Sequence, residues 1–76
     1  MVHAFVMVKT AAGKSEGLLG SIRELESVGD AHIVAGNYDI IAEVDADDVY
    51  EVLQAVSAGI QSLDGVTDTK TYIAMG

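Results

Sequence analysis

The chain turns back on itself at its midpoint. Gly36-Asn37-Tyr38-Asp39-Ile40-Ile41 sets turn-forming Gly and Asn between two strand-like runs and returns at once to β-branched residues. This reads as a hairpin, Ala31 to Ala35 pairing with Asp39 to Val44, with an amide, a phenol and a carboxylate at its tip. A hairpin in the middle leaves a similar stretch on either side. Each has to be read from its own periodicity.

Both flanks are periodic. Val2 to Lys9 alternates, with Val2, Ala4, Val6 and Val8 on one face and His3, Phe5 and Met7 on the other. Both faces are largely apolar, so something must cover each. After a break at Thr10 to Gly13, Ser15 to Ser27 reads as a helix with Leu18, Leu19, Ile22 and Leu25 at 3–4 spacing. Ser15 is its expected cap and Gly29 its expected stop. Asp45-Ala46-Asp47-Asp48 puts acids where a second helix begins, which suits the helix dipole. Val49, Val52, Leu53, Val56, Ile60 and Leu63 form its stripe, Asp64-Gly65 ends it, and Val66 to Met75 is the last strand. The order β-α-β-β-α-β contains two βαβ units, each needing a right-handed crossover. The expected fold is α+β and ferredoxin-like: an antiparallel four-stranded sheet with two helices on one face. The other face, still apolar, calls for a partner.

Seventy-six residues make one domain, and half of them are apolar. No Cys is present, so neither a disulfide nor a thiolate metal site is available. A small unstapled domain commonly gains burial by oligomerising. Twelve acidic residues against four basic ones give a formal charge of −8. That argues against tracking nucleic-acid phosphates or docking on anionic membranes. The richness in Asp, Ala, Val and Gly fits a salt-adapted, halophilic protein as well as an ordinary acidic one. No stretch reaches the roughly 20 apolar residues of a membrane span, and Met1-Val2-His3-Ala4 lacks a basic leader, so a cytoplasmic location is expected.

Other motifs are weaker. Gly13-Lys14-Ser15 follows a strand and opens a helix, but a phosphate loop would need a glycine where Val8 stands. A calcium loop starting at Asp45 would need Gly at Tyr50 and Glu at Val56. His3 and His32 read as partly exposed strand histidines rather than a base or metal ligands. Thr67, Thr69 and Thr71 alternate on the last strand, as either β-formers or a hydroxyl strip. No cofactor or metal, and no enzymatic activity, is expected.

Val34-Ala35-Gly36-Asn37-Tyr38-Asp39-Ile40-Ile41 resembles the central hairpin of the ligand-binding (RAM) domain of Lrp/AsnC transcription regulators. Leu63-Asp64-Gly65-Val66 with Thr69-Lys70-Thr71 resembles that domain's last turn and strand. Ala4 to Lys9 with Gly13-Lys14 fits its opening, so the resemblance spans residues 1–76. It implies a dimer formed through the sheets, further assembly into rings, and amino acids bound in clefts between dimers. With no room for a DNA-binding domain, the chain resembles a stand-alone sensor that acts through partner Lrp/AsnC regulators without touching nucleic acid. A structural module without ligand and a small dimeric α/β-barrel enzyme are the alternatives. In the site so implied, Asp39 accepts from the ligand ammonium, and the Gly36 and Asn37 N–H groups donate to its carboxylate. Thr69 and Thr71 add hydroxyls, and Tyr38 forms a wall. Ala35 replaces the family's usual Thr or Ser, which removes one ligand hydrogen bond.

Overall fold

A computed structural model describes all 76 residues. Its elements are β1 (Val2–Thr10), α1 (Ser15–Arg23), β2 (Val28–Ile33), β3 (Ile40–Ala46), α2 (Val49–Gln54) and β4 (Val66–Ile73). A π-helical segment, Ala55–Ile60, continues α2. The strands lie in the order β2-β3-β1-β4, every neighbouring pair antiparallel. This is the predicted ferredoxin-like arrangement: β1 and β3 sit in the middle, and each helix bridges two strands that are not neighbours.

The period-2 pattern of β1 does what it promises. Ala4, Val6 and Val8 are fully buried beneath the helices, together with Ala31, Ile40, Ala42 and Val44 from the neighbouring strands. Leu18 and Ile22 of α1, and Val52, Val56 and Ile60 of the second helical segment, close over them. No polar side chain is buried in this core. Burying a Val, Leu or Ile contributes about 1.5–3 kcal/mol, so this layer supplies most of the drive to fold. Arg23 ties α1 to the sheet, its guanidinium donating twice to the Ala31 carbonyl at 3.1 and 2.8 Å.

Several expected boundaries move. α1 stops at Arg23 rather than Ser27, because the chain closes tight turns from Leu25 N–H to Ile22 and from Val28 N–H to Leu25. Leu25 still packs on the core, which is why the helical spacing runs on past the helix itself. Ser15 does not cap α1: the cap position is Lys14, without a side-chain bond, and the Ser15 hydroxyl turns to Thr10. Gly29 ends no helix. It lies in β2 at an irregularity, where a β-carbon would come within 3.2 Å of Asp45 Oδ2.

The two strands of the hairpin pair as predicted but with shifted ends, at Val28–Ile33 and Ile40–Ala46, and β4 ends at Ile73 rather than Met75. Val49 and Leu53 face solvent, leaving Val52, Val56 and Ile60, four residues apart, as the buried row. A row spaced by fours fits a helix that widens, and Gln61 N–H bonds the Val56 carbonyl five residues back at 2.8 Å. The second helix starts as expected from its acids. Asp48 accepts from Glu51 N–H at 2.8 Å while the Glu51 carboxylate accepts from Asp47 N–H at 2.9 Å. Its exit runs through Gly65, whose φ of +101° most side chains would resist. No helix is long and apolar enough to cross a membrane.

The opposite sheet face has no covering layer within the chain. Phe5, Met7 and Ile41 lie along its centre beside Tyr72, which is 54% exposed.

Candidate functional site

The hairpin tip is anchored at its base. Val34 N–H bonds the Asp39 carbonyl at 2.9 Å, and Asp39 N–H bonds the Val8 carbonyl at 2.9 Å. Asp39 Oδ2 accepts from the Thr10 backbone N–H at 2.8 Å and from the Thr10 hydroxyl at 3.1 Å. Since Thr10 spends its one hydroxyl proton on Asp39, the 2.9 Å contact to Ser15 has the Ser15 hydroxyl as donor. Asp39 is thus a structural clamp between the hairpin, β1 and the start of α1. Its Oδ1 has no protein partner.

Above the clamp, Gly36 and Asn37 are exposed and Tyr38 half-buried. The N–H groups of Gly36, Asn37 and Tyr38 make no intramolecular hydrogen bond. Lys9, which the sequence reading did not single out, joins this group. Its ammonium donates to the Asn37 carbonyl at 3.0 Å and lies 5.8 Å from the centre of the Tyr38 ring. The tip therefore offers free backbone donors, a cation, an aromatic wall and one open carboxylate oxygen.

Thr69 and Thr71 sit elsewhere. They pair with Val8 and Val6 on the far side of β1 from β3. Two strands of separation is about 10 Å between backbones. Thr69 accepts from the Gln61 side chain at 2.7 Å and lines a depression of about 230 Å³ with Gln61, Val66, Thr67 and Asp68. Thr67 breaks the expected alternation: it is the extra residue where the register slips between Lys9 and Thr10, and its hydroxyl donates to the Lys9 carbonyl. Within one chain the structure gathers Gly36, Asn37, Tyr38 and Asp39, and sets Thr69 and Thr71 apart from them.

Two further features lie at the other end of the sheet. A cavity of about 720 Å³ opens beside the π-helical segment, edged by Glu26, Asp45, Asp47 and Glu51. On the open face, His3 Nδ1 bonds the Asp45 carboxylate and Nε2 lies 3.2 Å from Glu43. The Asp45 hydrogen bond, reinforced by the charges of Asp45 and Glu43, raises the His3 pKa above its ordinary 6.5.

Comparison with known proteins follows the same lines. A family model described as the Lrp/AsnC ligand binding domain matches residues 3–76. The leucine-responsive regulatory protein of Haemophilus influenzae is 31% identical over 55 residues, 72% of this chain and 33% of that protein. The proline dehydrogenase transcriptional activator of Rhizobium radiobacter is 27% identical over 95% of this chain and 48% of its own length. The chain thus spans a third to a half of the curated relatives it matches. Among solved structures, that of a Thermus thermophilus protein superposes with a TM-score of 0.96 at 37% identity, covering 100% of this chain and 95% of that one.

Proposed function

Because the chain belongs to the Lrp/AsnC ligand-binding domain family, we propose that it is an amino-acid-sensing domain that self-associates and modulates transcription through partner regulators. The observation that carries this reading is the hairpin tip. Unbonded N–H groups at Gly36 and Asn37 suit a carboxylate, and the free Oδ1 of Asp39 suits an ammonium. Lys9 adds a second attraction for the carboxylate. The leucine-responsive regulator among the relatives supports an amino acid as effector.

Within one protomer Asp39 and Thr69 lie on opposite sides of β1. In the proposed assembly the tip of one protomer meets the Thr69–Thr71 strip of another. The apolar open face supports such assembly, since Phe5, Met7, Ile41 and Tyr72 form a patch that a second copy would cover. Full-length regulators of the family are the proposed partners in mixed assemblies, with DNA contact left to them.

One observation favours a structural module without ligand. The two hydrogen bonds from Thr10 give Asp39 a role in shaping the hairpin whether or not anything binds.

Asp39→Asn separates the two readings, because an amide retains an oxygen acceptor for Thr10 and loses the charge. Calorimetry with each of the twenty amino acids is the measurement. The sensing reading expects wild type to bind at least one. A charge-assisted hydrogen bond is worth about 1.5–3 kcal/mol, so Asp39→Asn should weaken that binding at least tenfold with little change in melting temperature. Wild type binding none of the twenty would favour the structural module. Equal binding by the variant would remove Asp39 from the site.

A further inference from the structure

We propose that Asp30, His32 and Glu43 form a binding site for a divalent transition-metal ion, zinc being the best match, on the open face of the sheet. Asp30 and His32 are two apart on β2 and so share a face, and Glu43 is the register partner of Asp30 on β3. The backbone ladder therefore fixes the relative positions of all three residues. One ligand atom from each lies within 4.8 Å of the other two. His32 Nε2 and Asp30 Oδ2 are already 3.0 Å apart. Donors around a single zinc ion, each at about 2.0–2.2 Å, stand roughly 3.0–3.5 Å from one another, so Glu43 has to close in and the proton in the hydrogen bond between His32 Nε2 and Asp30 Oδ2 has to give up its place to the ion.

Charge gives a second, independent reason. Two carboxylates directly opposite on paired strands repel each other. Asp30 and Glu43 hold that relation in a chain of net charge −8. A cation between them turns an unfavourable pair into a chelate. One imidazole with two carboxylates is a borderline nitrogen and oxygen set, suited to zinc and its first-row neighbours rather than to magnesium or calcium. The site is partly open to solvent, with His32 and Asp30 side chains 57% and 53% exposed, so water can fill the remaining coordination positions.

The surroundings orient the ligands. Asp30 Oδ1 accepts from the Ala31 backbone N–H at 2.9 Å, which holds its carboxylate with Oδ2 turned to His32 Nε2, where the ion would sit between them. His3 Nε2, 3.2 Å from Glu43 Oε1, steadies the second carboxylate from β1. His3 is thus a positioning residue and not a ligand. All three ligands come from one chain's own sheet, and they border the apolar patch: Ile41 is the register partner of His32, and Phe5 that of Glu43.

The test uses untagged, metal-stripped protein titrated with zinc chloride by calorimetry, with cobalt(II) absorption as a second reading of the ligand set. The expected result is one zinc per chain with micromolar affinity. His32→Ala and Glu43→Gln should each weaken binding at least tenfold while circular dichroism stays unchanged. His3→Ala should weaken it by a smaller factor and leave the cobalt spectrum in place. No saturable uptake at about 100 μM zinc, a ceiling that excludes any micromolar site, would overturn the proposal. So would His32→Ala and Glu43→Gln variants that bind as wild type does, since the metal would then be spread over the acidic surface.

Discussion

The two faces of the sheet are built from the same strands and could hardly differ more. On the helix-covered face, β1 presents Ala4, Val6 and Val8, and β3 presents Ile40, Ala42 and Val44, all fully buried. On the open face the alternate residues of those strands are His3, Phe5, Met7, Ile41, Glu43 and Asp45. The first set is small, aliphatic and uniform; the second mixes rings, a thioether, imidazole and carboxylates. Aliphatic residues pack densely and specify the fold. The mixed face adds little to that packing but carries the groups on which both proposed contacts rest: apolar side chains at its centre for a second sheet, and an imidazole with carboxylates at its charged end for a cation. The difference teaches that on β1 and β3 residue parity separates the side chains that build the core from those left outside it.

Substitution on the covered face should have the largest effect. Ile40→Ala removes buried methylenes from a closed core and should cost about 2–5 kcal/mol in denaturant unfolding. A loss below about 1 kcal/mol would mean that the covered face is no more critical than the open one. A charge on the open face should act on mass instead of fold. Phe5→Glu sets a carboxylate beside Glu43 and Tyr72, its cross-strand neighbours. Light scattering should give at least a dimer for wild type and a monomer for the variant, with circular dichroism unchanged. A variant that stays dimeric would place the interface elsewhere.

A smaller effect should come from salt. Self-repulsion at −8 is screened as the Debye length falls from about 10 Å at 0.1 M to about 3 Å at 1 M, so the melting temperature should rise with potassium chloride. A flat or falling response would assign the surface acids no cost and remove the salt-adapted reading.

The smallest effect concerns His3 in metal-free buffer. Asp45 raises its pKa in the folded state, so the imidazolium–carboxylate pair stabilises the fold below the unfolded value near 6.5. That contribution is lost as pH rises through the folded pKa. Asp45→Asn should lower the His3 pKa in an NMR titration; an unchanged value would show that the pair does not persist in solution.

The covered face was legible because it repeats. Two-residue alternation in β1 and the acids ahead of Val49 each reflect a local physical rule, and their order gave the topology. The end of α1 was not legible, since Leu25 keeps the apolar spacing after the backbone has left the helix. At the candidate site, the tip residues are neighbours in sequence and could be read together. Their distance from Thr69 depends on β1 lying between β3 and β4, which no local pattern encodes. The roles of Lys9 and Gln61 depend on the same cross-strand placement. So does the Asp39–Thr10 clamp, which joins residues 29 apart.

The two helices differ in how they would accommodate a lost residue. Removing one position from α1 would turn everything after it by about 100° and pull the Arg23 guanidinium away from the Ala31 carbonyl. The π-helical segment already holds one residue more than an α-turn requires. Delete Ser57, Ala58 or Gly59, and the Val56 carbonyl and Gln61 N–H that now bond across five residues become the partners of an ordinary α-helical bond. Lineages of this fold can therefore shorten here without repacking the core, and length variation among relatives should collect in this turn and spare α1.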